Sequence, residues 1–270
     1  MLSKLKLNLL YLKDTQFANL MTRRIFNVLL IANPYDAFML EDDGRIDEKI
    51  FNEYTSLSLR YPPRFTQVST CDEALAQLKN MTYDLIICMP GTGDNEGFDV
   101  ARTIKAAWPH IPMVILTPFS HGITKRIANE DLSAFEYVFC WLGNTDLLVS
   151  IIKLIDKMNL EHDVNEVGVQ AILLVEDSIR FYSSLLPNLY KFVLKQSQEF
   201  STEALNAHQR TLRMRGRPKI VLARTYDEAI SIYTKYKNNI LGVVTDVRFP
   251  RTERGEKDGM AGIRLCAAIR

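Results

Sequence analysis

Ile172-Leu173-Leu174-Val175-Glu176-Asp177 and, further on, Gly242-Val243-Val244-Thr245-Asp246 are the stretches on which the reading of this chain turns. Each is a short apolar run, rich in β-branched residues, that ends abruptly in acid. A run of this length without polar alternation fits a strand covered on both faces, as strands of a parallel sheet are. The acids then stand at the carboxyl ends of two strands.

The pattern occurs twice along the chain. Val28-Leu29-Leu30-Ile31-Ala32-Asn33 matches the first stretch, and Leu85-Ile86-Ile87-Cys88-Met89 matches the second. Between them, Thr70-Cys71-Asp72-Glu73-Ala74-Leu75 matches Thr225-Tyr226-Asp227-Glu228-Ala229-Ile230, and Glu96-Gly97-Phe98 matches Asp258-Gly259-Met260. The order is kept while the offset grows from 144 to 162, as expected if the second copy carries longer loops. Thr70 with Glu73 and Thr225 with Glu228 have the spacing of a capping box and predict a helix start after the second strand of each copy. Apolar runs at 113–117 and 137–141 supply the fourth and fifth strands of the first copy. Strand and helix alternate throughout, which predicts α/β architecture: two doubly wound parallel-sheet domains in tandem. The expected boundaries are an N-terminal helix over 1–23, a first domain over 24–160, a polar linker at 161–167 and a second domain over 168–270. The helix rests on Leu5, Leu9, Leu12 and Leu20 near helical spacing. Docking on the first domain and pairing in a homodimer both remain open for it.

Composition bounds the function. In 270 residues, 33 Lys and Arg face 32 Asp and Glu, so the net charge of +1 argues against a general polyanion binder. No apolar run reaches the ~18 residues of a membrane span. The apolar stretch after Lys4 and Lys6 breaks at Asn8, Lys13 and Asp14, against a signal peptide. Cys71, Cys88, Cys140 and Cys266 are widely spaced and read as buried free thiols in a reducing cytoplasm. There is neither a Gly-x-Gly-x-x-Gly turn after a strand nor a Gly-x-x-x-x-Gly-Lys-Ser/Thr loop, so nucleotide-binding enzymes are disfavoured.

In a sheet of order 2-1-3-4-5 the first and third strands are neighbours, ~4.8 Å apart, and ligands bind beyond their carboxyl ends. Glu176, Asp177 and Asp246 are therefore expected to converge. Three crowded anions repel unless a cation joins them, and an oxygen-only donor set suits Mg2+. With the ion bound, Asp246 becomes a plausible nucleophile toward a phosphoryl donor.

At this point the sequence resembles the receiver domains of bacterial two-component response regulators, a flavodoxin-like fold. The residues that carry the resemblance are Ile172 to Asp177, Asp246 and Asp258-Gly259-Met260. It implies that Glu176 and Asp177 are Mg2+ ligands, that Asp246 is phosphoacceptor and third ligand, and that Arg248 lends its backbone carbonyl to the metal. It also implies a sensor histidine kinase or phosphotransfer protein as donor, and an output domain as recipient of the signal. The first copy departs from the pattern. Ala32 and Asn33 replace the acidic pair, Met89 replaces the phosphoacceptor, and Cys140 stands where receivers carry lysine; Thr117 keeps the switch hydroxyl. That copy resembles a degenerate receiver serving as an interaction domain. Asp42, Asp43 and Asp94 are nearby acids in glycine-containing loops and read as solvated turns.

Carrying the first copy's spacings over to Asp246 predicts a hydroxyl near position 274 and a lysine near position 297, beyond Arg270. The second domain is thus expected to be incomplete after its third strand and helix, as a piece of a longer protein, with an apolar sheet edge uncovered. The degenerate first copy, the Leu40-Glu41-Asp42-Asp43-Gly44-Arg45 loop and Arg213-Met214-Arg215-Gly216-Arg217-Pro218-Lys219 together resemble N-terminal regions of large bacterial phosphoenolpyruvate synthase-like proteins. The longest insert of the second copy carries Arg210, Arg213, Arg215, Arg217 and Lys219, which read as a solvated or partner-docking basic patch, with an anionic ligand as the alternative. With no aromatic residue interleaved, nucleic acid is disfavoured there. A dehalogenase-type phosphatase would need an acid two residues after Asp246, where Arg248 stands. The remaining alternative is a purely structural interaction module in which neither copy is phosphorylated.

Overall fold

The computed structural model describes residues 19–41, 44–57, 59, 61–90, 96–118, 130–201, 216–253 and 255–270. The chain divides into two compact units. One comprises residues 24–152 with 183–187, and the other comprises 1–23, 153–182 and 188–270.

The copy-one unit contains β1 (Asn27–Ala32), α1 (Pro34–Glu41), α2 (Ile46–Ser56), β2 (Arg64–Val68), α3 (Cys71–Asn80), β3 (Leu85–Met89), α4 (Glu96–Ala107), β4 (Met113–Pro118), β5 (Tyr137–Trp141) and the start of α5 (Asp146–Ile155). Its five strands pair in parallel in the order β2-β1-β3-β4-β5, the doubly wound, flavodoxin-like order. β3 and β5 are buried at every residue, as the unbroken apolar runs require. On one face Leu29, Ile86 and Met113 pack against Ala74, Leu78, Ala101 and Ile104 of α3 and α4.

The copy-two unit contains a 3-10 turn (Asp156–Asn159), α6 (Leu160–Val167), β6 (Ala171–Val175), α7 (Ile179–Ser201) apart from its residues 183–187, β7 (Lys219–Ala223), α8 (Tyr226–Tyr236), β8 (Ile240–Thr245), β9 (Phe249–Pro250), β10 (Lys257–Asp258) and α9 (Ala261–Ile269). Its described strands form a parallel sheet of order β7-β6-β8, the same arrangement as β2-β1-β3. β9 and β10 make a separate antiparallel hairpin. Leu241 and Val244 of β8 are about half exposed, whereas its counterpart β3, flanked by two strands, is buried throughout. Both capping boxes form. Thr70 Oγ1 accepts from the Glu73 N–H at 3.2 Å and Thr225 Oγ1 from the Glu228 N–H at 3.2 Å, while each glutamate accepts in return from the residue before the cap.

Two boundaries differ from expectation. Residues 161–167 are not a linker: they form most of α6, whose Leu160 and Val164 pack with Ala171 and Val221. Asp163, expected to be solvated, is fully buried; it accepts from the Met21 N–H at 3.1 Å and pairs with Lys219 Nζ at 2.7 Å. The acids conceal an apolar face of helical spacing. Gly168 ends α6 in the left-handed region (φ 70°), donating to the Val164 carbonyl at 2.8 Å. The helix expected over 1–23 lies outside the described residues as far as 18. Residues 19–23 are non-helical, with Leu20 and Met21 packed on Val169.

Candidate functional site

The register of β6 on β8 builds the site. Val175 pairs with Thr245, so Glu176 and Asp246 leave the sheet side by side. Main-chain bonds carry the ladder past the strands: the Glu176 N–H donates to the Ala223 carbonyl and the Asp246 N–H to the Val175 carbonyl, both at 3.0 Å. Glu176, Asp177 and Asp246 each place a carboxylate oxygen within 4.8 Å of the other two. Among the described residues no other trio of acids, histidines or cysteines is so arranged.

Each carboxylate has a distinct setting. Glu176 Oε1 accepts from the Ser178 N–H at 3.0 Å, and Asp246 Oδ1 from the Val247 N–H at 2.6 Å. Asp177 Oδ2 meets Lys257 Nζ at 2.6 Å, while its Oδ1 is buried and has no hydrogen-bond partner. Burial raises the pKa of Glu176; the charges of Asp246 and Asp177 push it the same way, and the Ser178 N–H and Lys257 oppose them. An orphaned buried oxygen among three oxygen donors suits a hard divalent cation.

Gly262 fixes how closely α9 approaches. A Cβ there would lie 2.1 Å from the Asp246 carbonyl oxygen, a space only glycine leaves free, and the Gly262 N–H donates to the Val247 carbonyl at 3.1 Å. By contrast Gly259, the glycine of the quoted Asp258-Gly259-Met260 motif, has open space around it. Asp258 accepts from the Met260 N–H at 2.9 Å and pairs with Arg264 at 2.6 Å. Arg248, two residues past Asp246, is exposed.

The equivalent position in copy one carries no charge. Ala32 pairs with Met89 in the β1–β3 register, the same relation as Glu176 to Asp246, and both are buried. Asn33 caps α1, accepting from the Asp36 N–H at 2.8 Å and donating to its carboxylate at 2.8 Å. Thr117 Oγ1 donates to the Pro118 carbonyl at 2.8 Å, and the Cys140 N–H donates to Ser183 Oγ at 3.0 Å. Asp42, Asp43 and Asp94 lie outside the described residues.

Of the expected basic patch, Arg210, Arg213 and Arg215 lie outside the described residues. Arg217 and Lys219 do not form a solvated patch. Arg217 pairs with Asp156 at 3.4 Å, and Lys219 holds Asp163 at 2.7 Å and donates to the Asp156 carbonyl at 3.2 Å. Burial lowers the Lys219 pKa against the opposing charges of Asp156 and Asp163. β7 starts at Lys219, which draws the end of the basic run into the core. The thiols also differ from expectation: Cys88 and Cys140 are buried, but Cys71 is half-buried and Cys266 exposed. Sequence reasoning missed Lys257 and Gly262. The unusual length between Asp246 and Asp258 was the available signal.

No family model and no curated protein matches the chain. Among solved structures, a signal receiver domain from Vibrio parahaemolyticus is similar over 53% of this chain and 98% of its own, at 20% identity and a TM-score of 0.37. A phosphorylated cyanobacterial phytochrome response regulator is similar over 52% of this chain and 96% of its own, at 21% identity and a TM-score of 0.36. Among the described residues, no helix is long and apolar enough to cross a membrane.

Proposed function

We propose that this chain is a receiver-type signalling module in which the copy-two pocket binds Mg2+ and Asp246 accepts a phosphoryl group, while copy one is a non-phosphorylated interaction domain. The observation that carries the reading is the convergence of Glu176, Asp177 and Asp246 within 4.8 Å at the ends of adjacent strands. Ala32 and Met89 in the matching register of copy one argue for the division of labour. Glu176, Asp177 and Asp246 would hold the ion, with the backbone carbonyl of Arg248 as a further ligand; when bound, the ion supplies charge neutralisation for the transferring group. A carboxylate oxygen of Asp246 attacks the phosphorus of the donor. The new P–O bond forms as the bond to the donor's leaving atom breaks, and that atom takes the electron pair, leaving an acyl phosphate on Asp246. The donor class is a phosphohistidine of a sensor kinase or phosphotransfer protein, which places the module in the cytoplasm with a regulatory rather than enzymatic role. The recipient of the signal is an output region.

A second reading, a structural module with no phosphorylation, is favoured by one observation: Lys257 Nζ lies 2.6 Å from Asp177 Oδ2 and balances one of the three acids. Calorimetric titration with Mg2+ separates the two. The proposal expects saturable binding that is lost in Asp177→Ala and Asp246→Asn. Equal heats in wild type and both variants would overturn it.

A further inference from the structure

Lys257 belongs to neither strand that carries the acids. It sits on β10, opposite Pro250 of β9, in the hairpin between β8 and α9. Phe249 anchors that hairpin: it is fully buried among Leu173, Val175, Ala223, Ala229, Ala261 and Leu265. The anchored strand delivers the lysine to Asp177 Oδ2 at 2.6 Å, and its charge is also felt at Glu176. Among the described residues the hairpin also pairs Arg251 with Asp227 at 3.4 Å and Arg224 with Glu253 at 3.2 Å, each through an exposed carboxylate. The Lys257 pair involves a largely buried carboxylate.

We propose that Lys257 is a tethered counter-cation that occupies the acidic pocket in the metal-free protein and is displaced when a divalent ion binds, so that the β9–β10 hairpin loosens on metal binding. The inference rests on the metal reading above and concerns its regulation. Asp177 Oδ1 is left for the metal, but an ammonium 2.6 Å from Oδ2 competes with the ion for the charge of the same carboxylate. Two cations on one carboxylate also repel. Lys257 can yield, because its side chain is 47% exposed and carries a compact charge on a flexible stem. When it leaves, the hairpin loses its ion pair to Asp177.

The test is calorimetric titration of the full chain with Mg2+ and with Mn2+, comparing wild type, Lys257→Met, Lys257→Gln and Arg264→Gln. Arg264 pairs with Asp258 in the adjacent turn, so its variant makes the same change in net charge without touching the pocket acids. Both Lys257 variants are expected to bind roughly 10-fold tighter or more, and Arg264→Gln within about 3-fold of wild type, because only Lys257 places its charge on a pocket carboxylate. Amide exchange supplies a second readout. Saturating Mg2+ should speed exchange over residues 251–257 in wild type and leave it unchanged in Lys257→Met. Equal affinity in wild type and the Lys257 variants, an equal gain in Arg264→Gln, or unaltered hairpin exchange in wild type would overturn the proposal while leaving the metal site standing. Absence of binding in wild type and all variants would overturn both.

Discussion

Replacing Gly262 by alanine probes how the fold holds Asp246. The added Cβ meets the Asp246 carbonyl oxygen at 2.1 Å and Val247 Cα at 3.0 Å; real contacts essentially never fall under 3.0 Å, so about 0.9 Å must open between α9 and the end of β8. The atoms in the way are backbone, which cannot rotate aside as a side chain could. Overpacking of this kind costs about 1–3 kcal/mol. Alanine recovers up to about 1 kcal/mol of helix propensity, less in a first turn, so a net loss of about 1–2 kcal/mol is expected in urea denaturation. The same displacement carries Asp246 away from Glu176 and Asp177. Shifts in the groups that orient metal ligands weaken binding about 10–100-fold, and Mg2+ titration should show a loss in that range. Gly259→Ala, with nothing within 4 Å of its added carbon, is the matched control and should change neither quantity measurably. Wild-type stability together with wild-type Mg2+ affinity in Gly262→Ala would mean that α9 does not set the position of Asp246.

Thr225→Ala removes the cap of α8 and should cost about 0.5–2 kcal/mol in urea denaturation; Thr70→Ala should cost about the same in copy one. Lys219→Met leaves Asp163 buried without its ion pair and should destabilise the copy-two unit by about 3–5 kcal/mol, a far larger loss than removal of a surface lysine causes. Burial raises the Asp36 pKa in the folded state, so the stability its protonated form contributes is fully present below the unfolded value near 3.8 and is lost as pH rises through the folded value. Asp36→Asn should therefore flatten the pH dependence of stability over that window, which thermal melts from acid to neutral pH would show. Burial pushes the Cys88 thiol up to about 12, so a thiol reagent at neutral pH should modify exposed Cys266 first and spare Cys88 until unfolding.

The strand order and the meeting of the three acids were legible because they depend on period and register alone. Once Val175 and Thr245 are read as strand ends on neighbouring strands, Glu176 and Asp246 have nowhere else to go. The caps at Thr70 and Thr225 were legible for a similar reason, since a fixed local spacing carries its own hydrogen bonds. What failed to show was anything set by partners distant in sequence. Residues 161–166 look like a solvated linker until Lys219, far along the chain, is seen to neutralise Asp163. Lys219 in turn looks like the end of a basic surface run until it becomes the first residue of β7. Lys257 and Gly262 escaped because the long loop after Asp246 hides the fold-back of the hairpin and the close approach of α9. A residue's neighbours in sequence carry no sign of either.

The proposed function stands or falls on Mg2+-dependent phosphorylation of Asp246. The most direct measurement is intact-protein mass spectrometry of the full chain after incubation with a small phosphoryl donor such as acetyl phosphate, with and without Mg2+. Wild-type protein should gain one phosphoryl group that requires Mg2+, is labile to hydroxylamine as an acyl phosphate is, and vanishes in Asp246→Asn. Unmodified wild-type protein in the presence of Mg2+, or a phosphoryl group that persists in Asp246→Asn, would contradict it.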